Sequence, residues 1–171
     1  MTKKQLVRKL LDCGIIHKGK VVLRSGKKAD FYIDLKKAYG QPELLAALVA
    51  EMSKLISKKA TCIATIGQGG IPLATLVSQK LNLKLVLVRD KPRRHGTKKT
   101  VDGYIPSQKD KVVIVDDVFT TGSSVRDIIK RLKLTKCKII SAVVAVRRGE
   151  SKNLKKMKIT SIFSQEDFYK S

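Results

Sequence analysis

Four short apolar runs dominate the chain: "TCIATI" (61–66), "KLVLV" (84–88), "VVIV" (112–115) and "KIISAVVAV" (138–146). Each is rich in β-branched residues and too short for a helix, so each reads as a buried strand. Between them, "IPLATLVSQKLN" (71–82) and "SSVRDIIKRLKL" (123–134) carry apolar residues at helical spacing. Strands alternating with helices need crossover connections, which predict a mainly parallel sheet covered by helices on both faces. The expected fold class is α/β.

The flanking segments fit around that sheet. Leu6, Val7, Leu10 and Leu11 predict a helix over 2–12, which Gly14 is placed to stop. "KVVLRSG" and "DFYIDL" predict two extended segments or an antiparallel hairpin. Pro42 suits the first turn of a helix running to about Ser57, with Leu44, Leu45, Leu48 and Met52 as its buried stripe. "GQGG" (67–70) predicts a turn, and Arg89–Lys109 a long loop with room for a small hairpin. A length of 171 residues fits one domain around one core.

Hydrophobic residues make up 43% of the chain, and no apolar run approaches the roughly 20 residues a spanning helix needs. The basic amino terminus lacks the apolar stretch and cleavage site of a secretory signal, so a soluble cytoplasmic protein is expected. Cys13, Cys62 and Cys137 have neither disulfide nor zinc spacing and are expected as reduced, packed thiols. The 37 Lys+Arg against 14 Asp+Glu give a net charge of +23, which favours anionic partners without choosing among them.

Open α/β sheets bind ligands beyond the carboxyl ends of their strands. Three loops lie there: 67–70, 89–109 and 116–124. The last is the most informative. In "VVIVDDVFTTGSS" (112–124), a strand runs into Asp116 and Asp117, and Thr120, Thr121, Gly122, Ser123 and Ser124 follow before the next helix. Backbone N–H groups at a helix start can receive a phosphate, and the hydroxyls add donors. The two carboxylates instead suit sugar hydroxyls or developing positive charge. Neither a Walker-type loop nor a dinucleotide G-x-G-x-x-G is present.

This stretch resembles the phosphoribosyl-pyrophosphate motif of the type I phosphoribosyltransferases. "VVLRSGKKADFYIDLKKA" (21–38) is similar to the hood of the orotate phosphoribosyltransferases, and "LVLVRDKPRRHGTKKTVDG" (85–103) to their mobile catalytic loop; this implies a single domain over 1–171 with a small hood formed mainly by about residues 1–40 and the C-terminal segment. The resemblance implies transfer of 5-phosphoribose from phosphoribosyl pyrophosphate to orotate, with Mg2+ supporting the departing pyrophosphate. It implies Thr120–Ser124 at the 5-phosphate, Asp116 and Asp117 at the ribose, and Arg89, Lys91, Arg93 and His95 at the pyrophosphate or in catalysis. Arg24, Phe31, Tyr32 and Arg148 would bound the orotate pocket; Arg148 is preferred to Arg147 because "RGE" keeps an Arg-x-Glu spacing. Relatives of this kind form homodimers that share the catalytic loop between subunits.

Several positions depart from the family pattern. Arg24 and Arg93 stand where Lys is frequent, Asp90 follows Arg89 where a Lys is common, and "VAVRRGE" lacks the usual Asp before its late arginine. A phosphoribosyltransferase for uracil or a purine therefore remains an alternative. So does a phosphoribosyl-pyrophosphate-sensing regulator that binds nucleic acid.

Overall fold

The computed structural model describes residues 1–22, 28–90, 100–149, 154 and 156–169, with side chains undescribed at 18–22 and 28–31. Helix α1 (Lys3–Asp12) opens on a reciprocal cap in which the Thr2 hydroxyl accepts from the Gln5 amide and the Gln5 side chain accepts from the Thr2 amide. It buries Leu6, Val7 and Leu10. Gly14 then takes a left-handed φ of +65°, and the chain turns into β1 (Ile16–Val22). That strand pairs antiparallel with β2 (Lys28–Ile33) as a separate two-stranded sheet. A 3-10 turn (Leu35–Gly40) leads to α2 (Pro42–Leu55), where proline occupies the first turn as its fixed φ favours.

The main sheet contains β3 (Cys62–Ile66), β4 (Lys84–Val88), β5 (Val101–Gly103), β6 (Lys111–Phe119), β7 (Lys138–Arg147) and β8 (Ile159–Ser164). Their order is β5-β4-β3-β6-β7-β8, and all neighbours are parallel except β4 and β5. Alternation along the strands sorts residues onto two faces. Ile63, Val113, Val115 and Val143 join α1, α2 and α3 (Gly67–Lys80) in one core, with Leu48, Met52 and Leu73 fully buried against them. Ala64, Val112, Ile114 and Val144 join Val125, Ile128 and Leu132 of α4 (Ser123–Leu132) in the other. Each fully buried Leu or Ile contributes about 1.5–3 kcal/mol, so the two layers fix which faces the strands present.

Three expectations need correction: the turn at 67–70, the helix bounds 71–82 and the end of the strand at 115. "GQGG" is not a turn: it forms the first turn of α3, which begins at Gly67 and ends at Lys80 instead of spanning 71–82. The apolar spacing begins at Ile71, but the helix starts four residues earlier. Strand β6 outruns "VVIV" to Phe119, so Asp116 and Asp117 lie inside the strand and stay paired with β7 through Asp116↔Val144. The 89–109 segment contributes β5, which pairs antiparallel with β4 in keeping with the expected small hairpin, and α2 ends at Leu55, close to the expected Ser57. Strand β8 was not anticipated. "ITSIFS" alternates apolar and polar residues, and a single short run of that kind is easily read as a tail.

Candidate functional site

The order β4-β3-β6 means that the chain builds outward from β3 in one direction and then crosses to its other side. The crevice between the carboxyl ends of β3 and β6 is the topological switch point, where such sheets leave room for a ligand. A cavity of about 530 Å3 opens there. Asp116 and Asp117 from β6, the Gly67–Gly69 turn of α3, and Thr120, Ser123 and Ser124 at the start of α4 line it.

The acids are held by their own strand and by two glycines. The Asp116 carboxylate accepts from the Asp117 amide at 3.0 Å, and that of Asp117 from the Val118 amide at 2.8 Å. Asp116 is only 6% exposed. Burial, and then the neighbouring Asp117 charge, push its pKa well above the usual carboxylate range, against the Asp117 amide and the Ser124 hydroxyl, which lower it. A Cβ at Gly69 would fall into the Asp117 carboxylate, and one at Gly70 into the Thr65 hydroxyl and the Asp116 carboxylate. Glycine in a helix costs about 1 kcal/mol relative to alanine, and here it is what lets the helix start pack directly on the acids.

Tyr39 completes that wall. Its hydroxyl donates to the Gly69 carbonyl at 2.7 Å. Burial, then Asp117, Asp116 and Asp34, raise its pKa, so it remains a donor. Buried hydroxyls of Thr65 and Thr121 have no hydrogen-bond partner among the described residues, an uncommon condition in a protein interior.

Gly122 gives the loop after β6 its shape. Its φ of +75° and the nearby Phe119 ring and Leu154 methyl leave no space for a side chain. Arg126 donates to the Thr121 carbonyl at 2.6 Å, which bends the loop back onto α4. Of the five residues expected at a phosphate, Thr120, Ser123 and Ser124 line the cavity, whereas Thr121 and Gly122 shape the loop behind it.

The opposite wall carries Tyr32, Ile33 and Lys36. The Lys36 ammonium pairs with Asp34 at 2.5 Å and donates to the Tyr32 hydroxyl at 3.4 Å. Burial lowers its pKa, but the Asp34 and Tyr32 hydrogen bonds outweigh that and raise it, so Lys36 is charged. Arg148 also lines the cavity, its amide donating to the Phe119 carbonyl at 2.8 Å, and burial lowers its pKa. Arg147, the alternative, does not line it; its Nε donates to the Gly149 carbonyl at 3.2 Å.

Not every expected residue reaches the cavity. Arg89 forms an ion pair with Asp102 at 2.6 Å across β4 and β5, while Asp90 lines the cavity in its place. Arg24, Lys91, Arg93 and His95 lie outside the described residues, and for Phe31 only its place in β2 is described. Lys36 and Tyr39 were missed by sequence reasoning. Lys36 stands four residues after Tyr32, a spacing that could have flagged it; Tyr39 carries no such signal.

Residues 37–171 match the family model described as the phosphoribosyl transferase domain. The orotate phosphoribosyltransferase of Methanocaldococcus jannaschii is 36% identical over 162 residues, covering 94% of this chain and 92% of the relative. The chain belongs to the phosphoribosyl transferase family, in its orotate branch. The orotate phosphoribosyltransferase of Pyrococcus abyssi is similar at 35% identity over 151 residues, covering 86% of this chain and 82% of that one. Among solved structures, that of orotate phosphoribosyltransferase from Aeropyrum pernix superposes with a TM-score of 0.82 at 26% identity, covering 96% of both chains. An adenine phosphoribosyltransferase from Thermoanaerobacter pseudethanolicus, at 17% identity and a TM-score of 0.71 over 92% of this chain and 99% of that one, shares the fold alone. For this family member, the acid pair and the hydroxyl loop at one switch point are the features to explain.

Proposed function

We propose that the chain transfers 5-phosphoribose from phosphoribosyl pyrophosphate to a ring nitrogen of orotate, giving orotidine 5'-phosphate and pyrophosphate. The observation that carries this reading is the single cavity in which an anion-receiving helix start meets two carboxylates. Thr120, Ser123 and Ser124, with the free amides at the start of α4, hold the 5-phosphate. Asp116 and Asp117 accept from the ribose hydroxyls. As the glycosidic bond breaks, positive charge develops on the sugar, and the fixed carboxylates oppose it without reorganising.

Orotate brings a carboxylate. Lys36 and Arg148 are the cations that line the cavity among the described residues, and Tyr32 offers a ring beside them. The long basic segment after Asp90 supplies donors for the pyrophosphate. Described residues contain no cluster of three or more metal-ligating side chains. That fits Mg2+, which keeps waters and takes one or two carboxylates plus substrate phosphates, with Asp116 and Asp117 as the protein's share. When bound, it would neutralise charge on the leaving pyrophosphate.

The active form is read as a homodimer sharing the catalytic loop, working in the cytoplasm; no helix among the described residues is long and apolar enough to cross a membrane. The functional test is a panel of orotate, uracil, adenine, guanine and hypoxanthine incubated with phosphoribosyl pyrophosphate and Mg2+. Orotate should be consumed fastest. Faster consumption of another base under matched conditions would overturn the assignment.

A further inference from the structure

The chain's excess of positive charge does not gather at the cavity on the carboxyl ends of the strands, whose described lining sets Lys36 and Arg148 against Asp90, Asp116 and Asp117. At the other end of the sheet, β4, β6 and β7 begin on Lys84, Lys111 and Lys138, and Lys158 immediately precedes β8. Lys84 is engaged, since its ammonium donates to the Tyr104 hydroxyl at 3.1 Å and lies 4.1 Å over that ring. Lys111, Lys138 and Lys158 instead surround a second cavity of about 390 Å3, joined by Lys59 from the connection between α2 and β3. Ser57, Ser141 and Thr160 line it too, and among the described residues no Asp or Glu does.

Lys111 and Lys138 are direct partners at the start of the β6–β7 ladder, where like charges repel. The four ammonium groups make no ion pair among the described residues. Asp110, which precedes Lys111, is already occupied: it accepts from the Thr61 and Tyr104 hydroxyls at 2.8 and 2.9 Å and from the Ser107 amide at 2.8 Å. The same ladder ends at Phe119↔Arg147, beyond the acid pair, so the lysines and the acids stand at opposite ends of one strand.

Four unopposed cations around one concavity favour a ligand with several negative charges close together. Lysine binds phosphate as a compact point charge. Among the described residues the lining contains no aromatic ring or arginine on which a base could stack, so a nucleic-acid strand finds no platform in them. The volume lies within the small-ligand range. We infer that this lysine-ringed cavity is a second anion site, separate from the phosphoribosyl site, that binds an oligophosphate such as inorganic tripolyphosphate or the triphosphate tail of a nucleotide.

The test is a titration of the full chain with tripolyphosphate at low ionic strength, followed through assigned amide resonances. The amides of Ser57, Ser141 and Thr160 should move saturably, and with a different midpoint from those of Thr120–Ser124. ATP should move the same three amides, because only its phosphate tail is recognised. Lys111→Gln with Lys138→Gln should weaken binding there by about tenfold or more, as expected for two lost charge-assisted contacts. Lys4→Gln with Lys130→Gln, an equal charge change on exposed helix positions, should alter it by less than about twofold. The inference fails if only the Thr120–Ser124 amides respond, or if the control pair weakens binding as much as the cavity pair. It fails equally if single-stranded RNA moves the three amides and tripolyphosphate does not.

Discussion

At Asp116 the central strand turns a carboxylate into the protein interior, where burial and the Asp117 charge raise its pKa. A raised carboxyl pKa means that folding favours the protonated form. That contribution is complete below the unfolded pKa and is lost as pH rises through the folded one. Above the folded pKa the ionised group therefore works against folding, a cost that proteins accept where activity requires it. Asp116→Asn should raise Tm by a few degrees near neutral pH, give no gain near pH 3, and depress turnover. Calorimetry at the two pH values checks this, and a lower Tm at neutral pH would contradict it. Gly69→Ala acts on the same carboxylates from the other side, because its methyl displaces Asp117. The variant should fold with a native circular dichroism spectrum yet lose on the order of 100-fold in kcat/KM, comparable to removing one electrostatic stabiliser. The acids and hydroxyls were legible in the sequence because they are consecutive. Tyr39 reaches Gly69 from 30 residues away, and no local pattern marks such a contact.

At the scale of elements, Asp110 ties three segments together at the amino end of the sheet. It receives hydrogen bonds from Thr61 before β3, from Tyr104 after β5 and from Ser107. The Ser107 amide leads in lowering its pKa to about 2, although burial opposes the shift. For a depressed carboxyl pKa the sign is the reverse of that at Asp116: stability is present above the unfolded pKa and lost as pH falls through about 2. Asp110→Ala should cost about 1–3 kcal/mol near neutrality, measured by urea unfolding. The wild type should then lose more stability than the variant on acidification, and parallel losses would contradict this account. The long buried strands and amphipathic helices were readable, since their periodicity is set by two packed faces. β5 has three residues and β8 is an edge strand, and short or half-buried edges carry weak patterns. The glycine-rich start of α3 was misread because propensity disfavours a helix there and packing against the acids overrides it.

Across the whole molecule, chain order places the proposed reaction site. Crossing from β4 over β3 to β6 opens the crevice, and the hydroxyl-rich loop and the acids follow from where β6 ends. The overall +23 charge was plain in the sequence, but its concentration at the strand starts emerges only when the strands are set side by side. The central claim is that this crevice performs the sugar transfer. Its most direct measurement is orotate-dependent pyrophosphate release from phosphoribosyl pyrophosphate, wild type against Asp117→Asn, with orotidine 5'-phosphate quantified in the same samples. The wild type should release one pyrophosphate per nucleotide formed, and the variant should be slower by about 100-fold or more. Equal rates in the two proteins, or pyrophosphate release without nucleotide, would contradict the claim.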